Sequence, residues 1–371
     1  MSTDSARVLY PAGRLRVVVS AVRAAGLSAL LLTPGPDLRY VTGYDAKQLE
    51  RLTCLAVPAD GDPFLLVPRL ELAAAMASPA AGLNVEIVTW GETEDPFGIV
   101  KDRIGTQRSV GLSDRMWALH VLQFRTAFPD ASQVLASTVL SPLRIRKTQA
   151  EVSALREAGA AIDRVHANVP RWLRAGATER EVGARIAEAV LGVGHVQVDF
   201  VIVGSGPNAA SPHHDVSDRV LQDGDVVVVD IGGTMPSGYC SDCTRTYSIG
   251  RPPADFAAYY DVLRQAQDMA CAAVRPGVRA EDVDRAAREV IAKAGYGDWF
   301  IHRTGHGIGL ETHEEPYIVE GNETRLEQGM AFSVEPGIYP GPHGARIEDI
   351  VVCTADGAER LNNATRELVV A

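Results

Sequence analysis

The sequence predicts an α+β protein in two parts, a smaller N-terminal α/β domain over residues 1–143 and a larger domain over residues 144–371. Three observations point there. The chain has 371 residues, 46% hydrophobic and 22% charged, enough for two or three domains at about 100–200 residues each. Apolar stretches of helical and strand-like spacing alternate through residues 1–140, as they do in a layered α/β domain. Around SPLRIRKTQAEVSALREAG the texture changes to a long helical run, and strand pairs of hairpin type follow.

An amphipathic helix over Gly13–Ala25 leads into an apolar strand over Leu27–Thr33, then the turn-rich PGPDLRYVTGYD. Strand-like runs follow at Leu52–Pro58, Phe64–Pro68, Val85–Trp90 and Val110–Ser113, with helical stretches near Arg69–Ala77 and Arg115–Ala127. A long helix is expected from Thr148 to Arg174, kinked at Pro170. Beyond it, Arg174-x-Gly176, Glu181-Val182, Glu188 and Val190 recur about 101 positions later as Arg275-x-Gly277, Asp282-Val283, Glu289 and Ile291. In each copy a helix ends at a glycine and another begins, with Thr178-x-x-Glu181 as a capping box. The offset extends to polar residues: His213 answers His313, Asp230 answers Glu335, and Asp242 answers Glu348. Duplication explains this better than the general likeness of amphipathic helices.

The apolar run VVVVDIGG ends near Asp230, and after the turn MPSGY comes SDCTRTYSI with Asp242, a β-hairpin pattern. A period of two puts Asp242, Thr244 and Thr246 on one face. A second hairpin runs from MAFSVEPGIY to ARIEDIVV, with Ser333 and Glu335 sharing a face, Arg346 and Glu348 sharing a face, and Asp349 pointing away. Stacked together, the hairpins would gather Asp230, Asp242, Glu335 and Glu348 inside a core. Buried carboxylates cannot stay ionised unaided, because each uncompensated charge costs several kcal/mol. Two divalent cations would neutralise them. Hard oxygen ligands with one imidazole suit Mn2+, Fe2+, Co2+ or Zn2+, and a metal spacing of about 3.5–4 Å allows a bridging hydroxide. A single such acid is more often a solvated hairpin residue; four of them at strand positions with apolar neighbours are not.

HRTGHGIGLETHEEP holds His302, His306 and His313 among glycines that let backbone approach a ligand closely. Gly305 and Gly307 speak against a helical zinc pair at His302 and His306, which leaves His306 as a metal ligand and His313 facing substrate. In ASPHHDVSD the repeat offset selects His213 for the site and leaves His214 exposed. Three motifs mislead. Asp230-Ile-Gly-Gly-Thr234 resembles a sugar-kinase phosphate turn but is followed by a second acid. Gly204-Ser-Gly206-Pro-Asn-Ala209 has proline and histidines where a dinucleotide-binding helix should begin. Cys240-Ser-Asp-Cys243 sits in a hairpin strand with no second pair to complete a zinc site.

The balance of 36 Lys+Arg against 47 Asp+Glu, a net charge of −11, argues against nucleic-acid binding, which needs a basic face. No run approaches 18 consecutive apolar residues, so no membrane-spanning helix is expected. MSTDSARVLYPAGRLR carries no secretory signal, and five cysteines are too few for a disulfide framework. The expectation is a reduced, cytoplasmic protein.

The second half resembles the pita-bread metallopeptidases, namely Xaa-Pro dipeptidase (prolidase), aminopeptidase P, methionine aminopeptidase and creatinase. The strings LRIRKTQAEVSALREA, PHH, VVVDIGG…GYCSDCTRTYSIG, HRTGHGIGLETHEEP, FSVEPGIY and ARIEDIVV carry the likeness, in the family order. The first half is similar to the N-terminal domain of prolidases, aminopeptidases P and creatinases. The resemblance implies five metal ligands, Asp230, Asp242, His306, Glu335 and Glu348, with Asp242 and Glu348 bridging two ions per subunit, Mn2+ first and Co2+, Zn2+ or Fe2+ as alternatives. It makes His213 and His313 the histidines that bind substrate and stabilise the tetrahedral intermediate, and Glu335 the general base. Arg346 matches an arginine near the active site, and His302, Tyr317 and Phe200 are candidates for the wall of a proline pocket. Several prolidases carry an arginine four residues after the His313 position to hold the substrate carboxylate; here it is Tyr317, so a dipeptidase needs another cation, and Arg346 or a basic residue from the Tyr44–Arg51 loop, such as Lys47, could serve.

The activity implied is hydrolysis of Xaa-Pro dipeptides by a homodimer. The alternative is an aminopeptidase P acting on longer peptides. A non-catalytic peptide- or protein-binding module is the alternative outside enzymes, and retention of all five ligands argues against it, as it does against creatinase activity.

Overall fold

A computed structural model describes residues 8–371, so the first seven residues of the stretch read as lacking a secretory signal lie outside the described residues. The chain divides into Met1–Arg144 and Ile145–Ala371. In the first unit, helix α1 (Gly13–Ala24) buries Leu15, Val18 and Val22 at helical spacing and leads into β1 (Ala29–Leu32). The expected turn-rich segment instead contains α2 (Pro36–Thr42), with Pro36 at its first position and left-handed Gly43 at its end. Pro's fixed φ and Gly's freedom suit those two places. There follow β2 (Cys54–Pro58), β3 (Phe64–Pro68), α3 (Leu72–Ala77), β4 (Glu86–Trp90), α4 (Pro96–Ile104), β5 (Ser109–Leu112), α5 (Ala118–Ala127), β6 (Ser132–Leu135) and α6 (Ser137–Arg144). The strands form one mixed sheet in the order β4-β3-β2-β1-β5-β6.

In the second unit, Thr148 and Glu151 close a capping box on α7 (Gln149–His166). The helix stops there rather than kinking at Pro170. Proline lacks an N–H and its ring clashes with the carbonyl four residues back, here that of His166, and a short 3-10 turn over Val169–Arg171 takes over. Then come α8 (Glu179–Gly192), the strands β7 (Gln197–Ser205), β8 (Val226–Thr234) and β9 (Cys240–Ser248), and helices α9 (Phe256–Ala273) and α10 (Ala280–Lys293). The last part holds β10 (Gly305–Gly307), β11 (Glu314–Ile318), β12 (Ala331–Val334), β13 (Gly337–Ile338), β14 (Ala345–Arg346), β15 (Asp349–Thr354), β16 (Gly357–Arg360) and β17 (Val369–Val370).

The internal repeat is visible in the backbone. Gly176 N donates to Leu221 O at 2.9 Å and Gly277 N to Leu326 O at 2.8 Å, and Leu221 and Leu326 return bonds of 2.8 Å to Ala177 and Val278. Each half lays a helix pair on a sheet, β17-β9-β8-β7 or β11-β10-β12-β15-β16. Strand alternation then separates apolar from polar faces. Val227, Val229 and Ile231 of β8 pack with Ile162, Val165 and Ile186 of the first helix pair. Phe332 and Val334 of β12 pack with Leu263, Val283 and Ile291 of the second. Asp230 and Ser333, on the opposite faces, are left toward each other's sheet. Glu348 N donates to Thr244 O at 3.1 Å, and Thr246 Oγ1 to Arg346 O at 2.9 Å, tying those polar faces together.

Candidate active site

In the first hairpin Asp230 lies opposite Thr244 and Gly232 opposite Asp242, so both aspartates project from one face. From the second come Glu335, just past β12, and Glu348, between β14 and β15. His306 is the centre of β10, which is squeezed between β11 and β12. A Cβ at Gly305 would collide with the Ser333 carbonyl and one at Gly307 with that of Glu315. Glycine on either side of His306 therefore lets the imidazole reach the acids. Its Nε2 lies 3.2 Å from Glu335 Oε1 and 3.7 Å from Asp242 Oδ2.

Ligand atoms of Asp230, Asp242 and Glu348 all lie within 4.8 Å of one another, as do those of His306, Glu335 and Glu348 and those of Asp242, His306 and His313. Asp242, His306 and Glu348 each belong to two of these groups, so the three groups form one continuous cluster. Arg346 Nη2 donates to Asp230 Oδ2 at 2.6 Å, and Thr244 Oγ1 to Glu348 Oε2 at 2.8 Å. The other oxygens, Asp230 Oδ1 and Glu348 Oε1, are buried with no hydrogen-bond partner. Leaving such atoms bare costs several kcal/mol, and a divalent cation is the partner that oxygens so placed accept. Burial, then the neighbouring carboxylates, push Asp242 and Glu348 well above the usual carboxylate range. Burial also raises Asp230, against the pull of Arg346. Glu335 differs: burial would raise it, but the hydrogen bond and charge of His306, with His302 and Arg346, hold it below the ordinary value. The residue set fits two hard cations.

Arg346, which the sequence offered as a substrate cation, is fully committed inside the protein. Besides Asp230 it donates through Nε to Thr244 Oγ1 (3.2 Å) and through Nη1 to Tyr339 OH (3.0 Å) and Pro212 O (3.1 Å). Tyr339, which sequence reasoning missed, passes its proton on: its oxygen accepts from Arg346, so its O–H donates to His302 Nε2 at 3.0 Å, and His302 Nδ1–H donates to Arg303 O at 2.8 Å. Both nitrogens of His302 are thus used, and what it can offer a substrate is a ring face.

His313 lies against His306, ring centroids 3.8 Å apart. Arg303 Nη2 is 3.4 Å from its Nδ1, so the proton of the neutral ring sits on Nε2. Burial, then the charges of His306 and Arg303, bring His313 down to about 4, which keeps it neutral. His213 is exposed and near enough to His302 and His313 to disfavour a charge on either. His214, expected to be exposed, is instead tied down: its Nε2 donates at 2.8 Å to Glu179, a carboxylate that sequence reasoning passed over as part of a helix start. The Phe200 ring covers Gly232, where a Cβ would lie 2.5 Å from it, and so flanks the two aspartates. Tyr317 lies under the Arg303 guanidinium, 4.4 Å from ring centroid to Cζ. Lys47 is an exposed residue of the N-terminal unit. Cys240 and Cys243 are buried free thiols.

Residues 153–355 match metallopeptidase family M24, and residues 14–146 match the creatinase/prolidase N-terminal domain. The chain is 54% identical over 361 residues to a probable dipeptidase PepE of Mycobacterium tuberculosis, covering 97% of this chain and 96% of the relative. It is 38% identical to an Xaa-Pro dipeptidase of Lactobacillus helveticus, covering 90% and 92%. The crystal structure of dipeptidase PepE from Mycobacterium ulcerans superposes with a TM-score of 0.92 at 53% identity, covering 100% of this chain and 99% of that one.

Proposed function

Because the chain belongs to metallopeptidase family M24, we propose that it hydrolyses the peptide bond of Xaa-Pro dipeptides, with Asp230, Asp242, His306, Glu335 and Glu348 holding two divalent ions. The observation that carries this is the pair of partnerless buried oxygens, Asp230 Oδ1 and Glu348 Oε1, within a single acid–histidine cluster. The relatives named as dipeptidases supply the substrate class. Mn2+ is the first candidate, because the donors are mostly hard carboxylate oxygens.

Bound there, the ions would supply Lewis acidity, bringing a water's pKa toward neutrality and polarising the scissile carbonyl. The chain's own groups do the rest. Glu335, whose carboxyl is held below the ordinary value and so stays ionised, takes the proton of the attacking water and returns it to the departing proline nitrogen. His313, with its proton on Nε2, donates to the oxyanion as it develops, and His213 stands beside it. Arg346 and Thr244 each occupy one oxygen of a ligand and so fix which oxygen faces the ions. Phe200 and a face of His302 offer apolar surface to a proline ring, while the Tyr317 face is covered by the Arg303 guanidinium. Tyr339 positions His302.

All five cysteines are free and buried, which supports residence in the reducing cytoplasm, and among the described residues no helix is long and apolar enough to cross a membrane. The resemblance to two-domain prolidases supports a homodimer. The test compares Ala-Pro with Ala-Pro-Ala as substrates of the Mn2+-loaded protein, with a chelated control. Preferential cleavage of Ala-Pro, abolished by chelation, is the expected result. Preference for the tripeptide would make the protein an aminopeptidase, and failure to cut either would remove the catalytic reading.

A further inference from the structure

We propose that Arg303 captures the C-terminal carboxylate of the substrate and thereby selects free dipeptides; this rests on the dipeptide reading above. A free dipeptide carries its carboxylate one residue beyond the scissile bond, so the cation that binds it must stand next to the reacting groups. Arg303 does. It contacts His313, which stacks on His306 of the acid cluster.

Arg303 is also the cation left over. The other basic side chains packed around this corner are consumed by acids: Arg346 by Asp230 at 2.6 Å, Lys147 by Glu314 at 2.5 Å, and Arg288 by Asp284 at 2.9 Å. Half-buried Arg303 has, among the described residues, no carboxylate within salt-bridge distance, although the chain carries 47 acidic residues. What holds it is the face of Tyr317. A contact between a cation and an aromatic face uses the charge and spends no N–H donor, so the guanidinium fork is kept in place with donors free for a planar carboxylate.

The backbone on both sides is pinned. Thr304 N and Oγ1 donate to Asp284 Oδ1 at 3.1 and 2.7 Å, and Arg288 Nη2 donates to His302 O at 3.0 Å. Thr304 N also donates at 3.0 Å to Ile318 O, which places Tyr317 beside Arg303 across the strand pair. A longer peptide would bring a neutral amide to this place and leave the guanidinium unpaired.

The test measures kcat/KM of the full-length Mn2+-loaded protein, Arg303→Ala and Arg303→Lys on Ala-Pro and on Ala-Pro-amide, whose C-terminus is neutral. Wild type should favour the acid by about 10- to 150-fold, the range a hydrogen bond to a charged group spans. In Arg303→Ala that ratio should collapse toward one, through loss on the acid, and Arg303→Lys should lie between. An unchanged ratio, or an equal fall on both substrates, would overturn the proposal, the second because it would mark Arg303 as a support for His313. A ratio that collapses in Lys47→Ala instead would give the role to Lys47. If wild type cuts Ala-Leu but not Ala-Pro, the proline reading fails, and the same ratio on Ala-Leu and its amide decides the anchor. Cleavage of no free dipeptide overturns both.

Discussion

Glu179 offers a perturbation whose size can be worked out from the structure. Its side chain is 0% exposed at the first position of α8, where the helix dipole favours a negative charge. It gathers the loop that carries His213. Ser205 N (2.8 Å), Ser205 Oγ (2.6 Å) and Asn208 Nδ2 (3.0 Å) donate to Oε1. His214 Nε2 (2.8 Å), Ser217 N (3.2 Å) and Ser217 Oγ donate to Oε2, and Asn208 reaches that oxygen too. Glu179→Gln keeps one acceptor and turns an NH2 toward the other three donors. At about 1 kcal/mol for each lost bond, the variant should be less stable by about 2–4 kcal/mol, a fall in Tm of about 5–15 °C for a unit of this size. With the loop loosened, kcat/KM should drop by about 10- to 100-fold. pH adds a signature. Burial would raise this carboxyl, but the serine and histidine bonds bring it down to about 2 from an ordinary 4.5. A depressed pKa contributes stability above about 4.5 that is lost as pH falls toward 2. The gap in Tm between wild type and Glu179→Gln should therefore be full at neutral pH and shrink below pH 4.5. A variant that melts with wild type at pH 7 and keeps its kcat/KM would refute the reasoning.

Glu348→Ala should retain the fold, lose a metal ion and lose nearly all peptidase activity, as read by circular dichroism, metal analysis and Ala-Pro hydrolysis; full metal content with normal turnover would contradict the shared-ligand arrangement. Gly307→Ala drives a Cβ into the backbone carbonyls of Glu314 and Glu315, atoms that cannot rotate away. It should cost about 1–3 kcal/mol and weaken metal binding by displacing His306, measurable by thermal melts and metal titration. Chelation should lower the Tm of wild type, since a ligand bound only to the folded state stabilises it, and Glu348→Ala should show a smaller shift.

The acid cluster was legible because strand alternation is a strict rule: once VVVVDIGG is a strand packed on helices through Val227, Val229 and Ile231, Asp230 has only the other face. The repeat extended this to Glu335 and Glu348. Less legible were contacts that close only in three dimensions. Arg346 was readable as a cation near the site, but not as one spent on Asp230, Tyr339 and Pro212. His214 looked like the idle member of a pair because its partner, Glu179, sits 35 positions away at a helix start. Arg303 was read as part of a glycine–histidine string, and the signal that could have singled it out was Tyr317, an aromatic ring where a cation was missing. The helix Pro36–Thr42 was hidden by its own caps, since Pro36 and Gly43 are turn residues as well as helix boundaries.

The most direct measurement is a stepwise Mn2+ titration of the chelator-stripped protein, with bound metal and Ala-Pro hydrolysis followed together. The account predicts binding that saturates at two ions per chain, with activity rising in step with metal and absent without it. Full hydrolysis in the metal-free protein, or a single ion per chain at saturation, would contradict it.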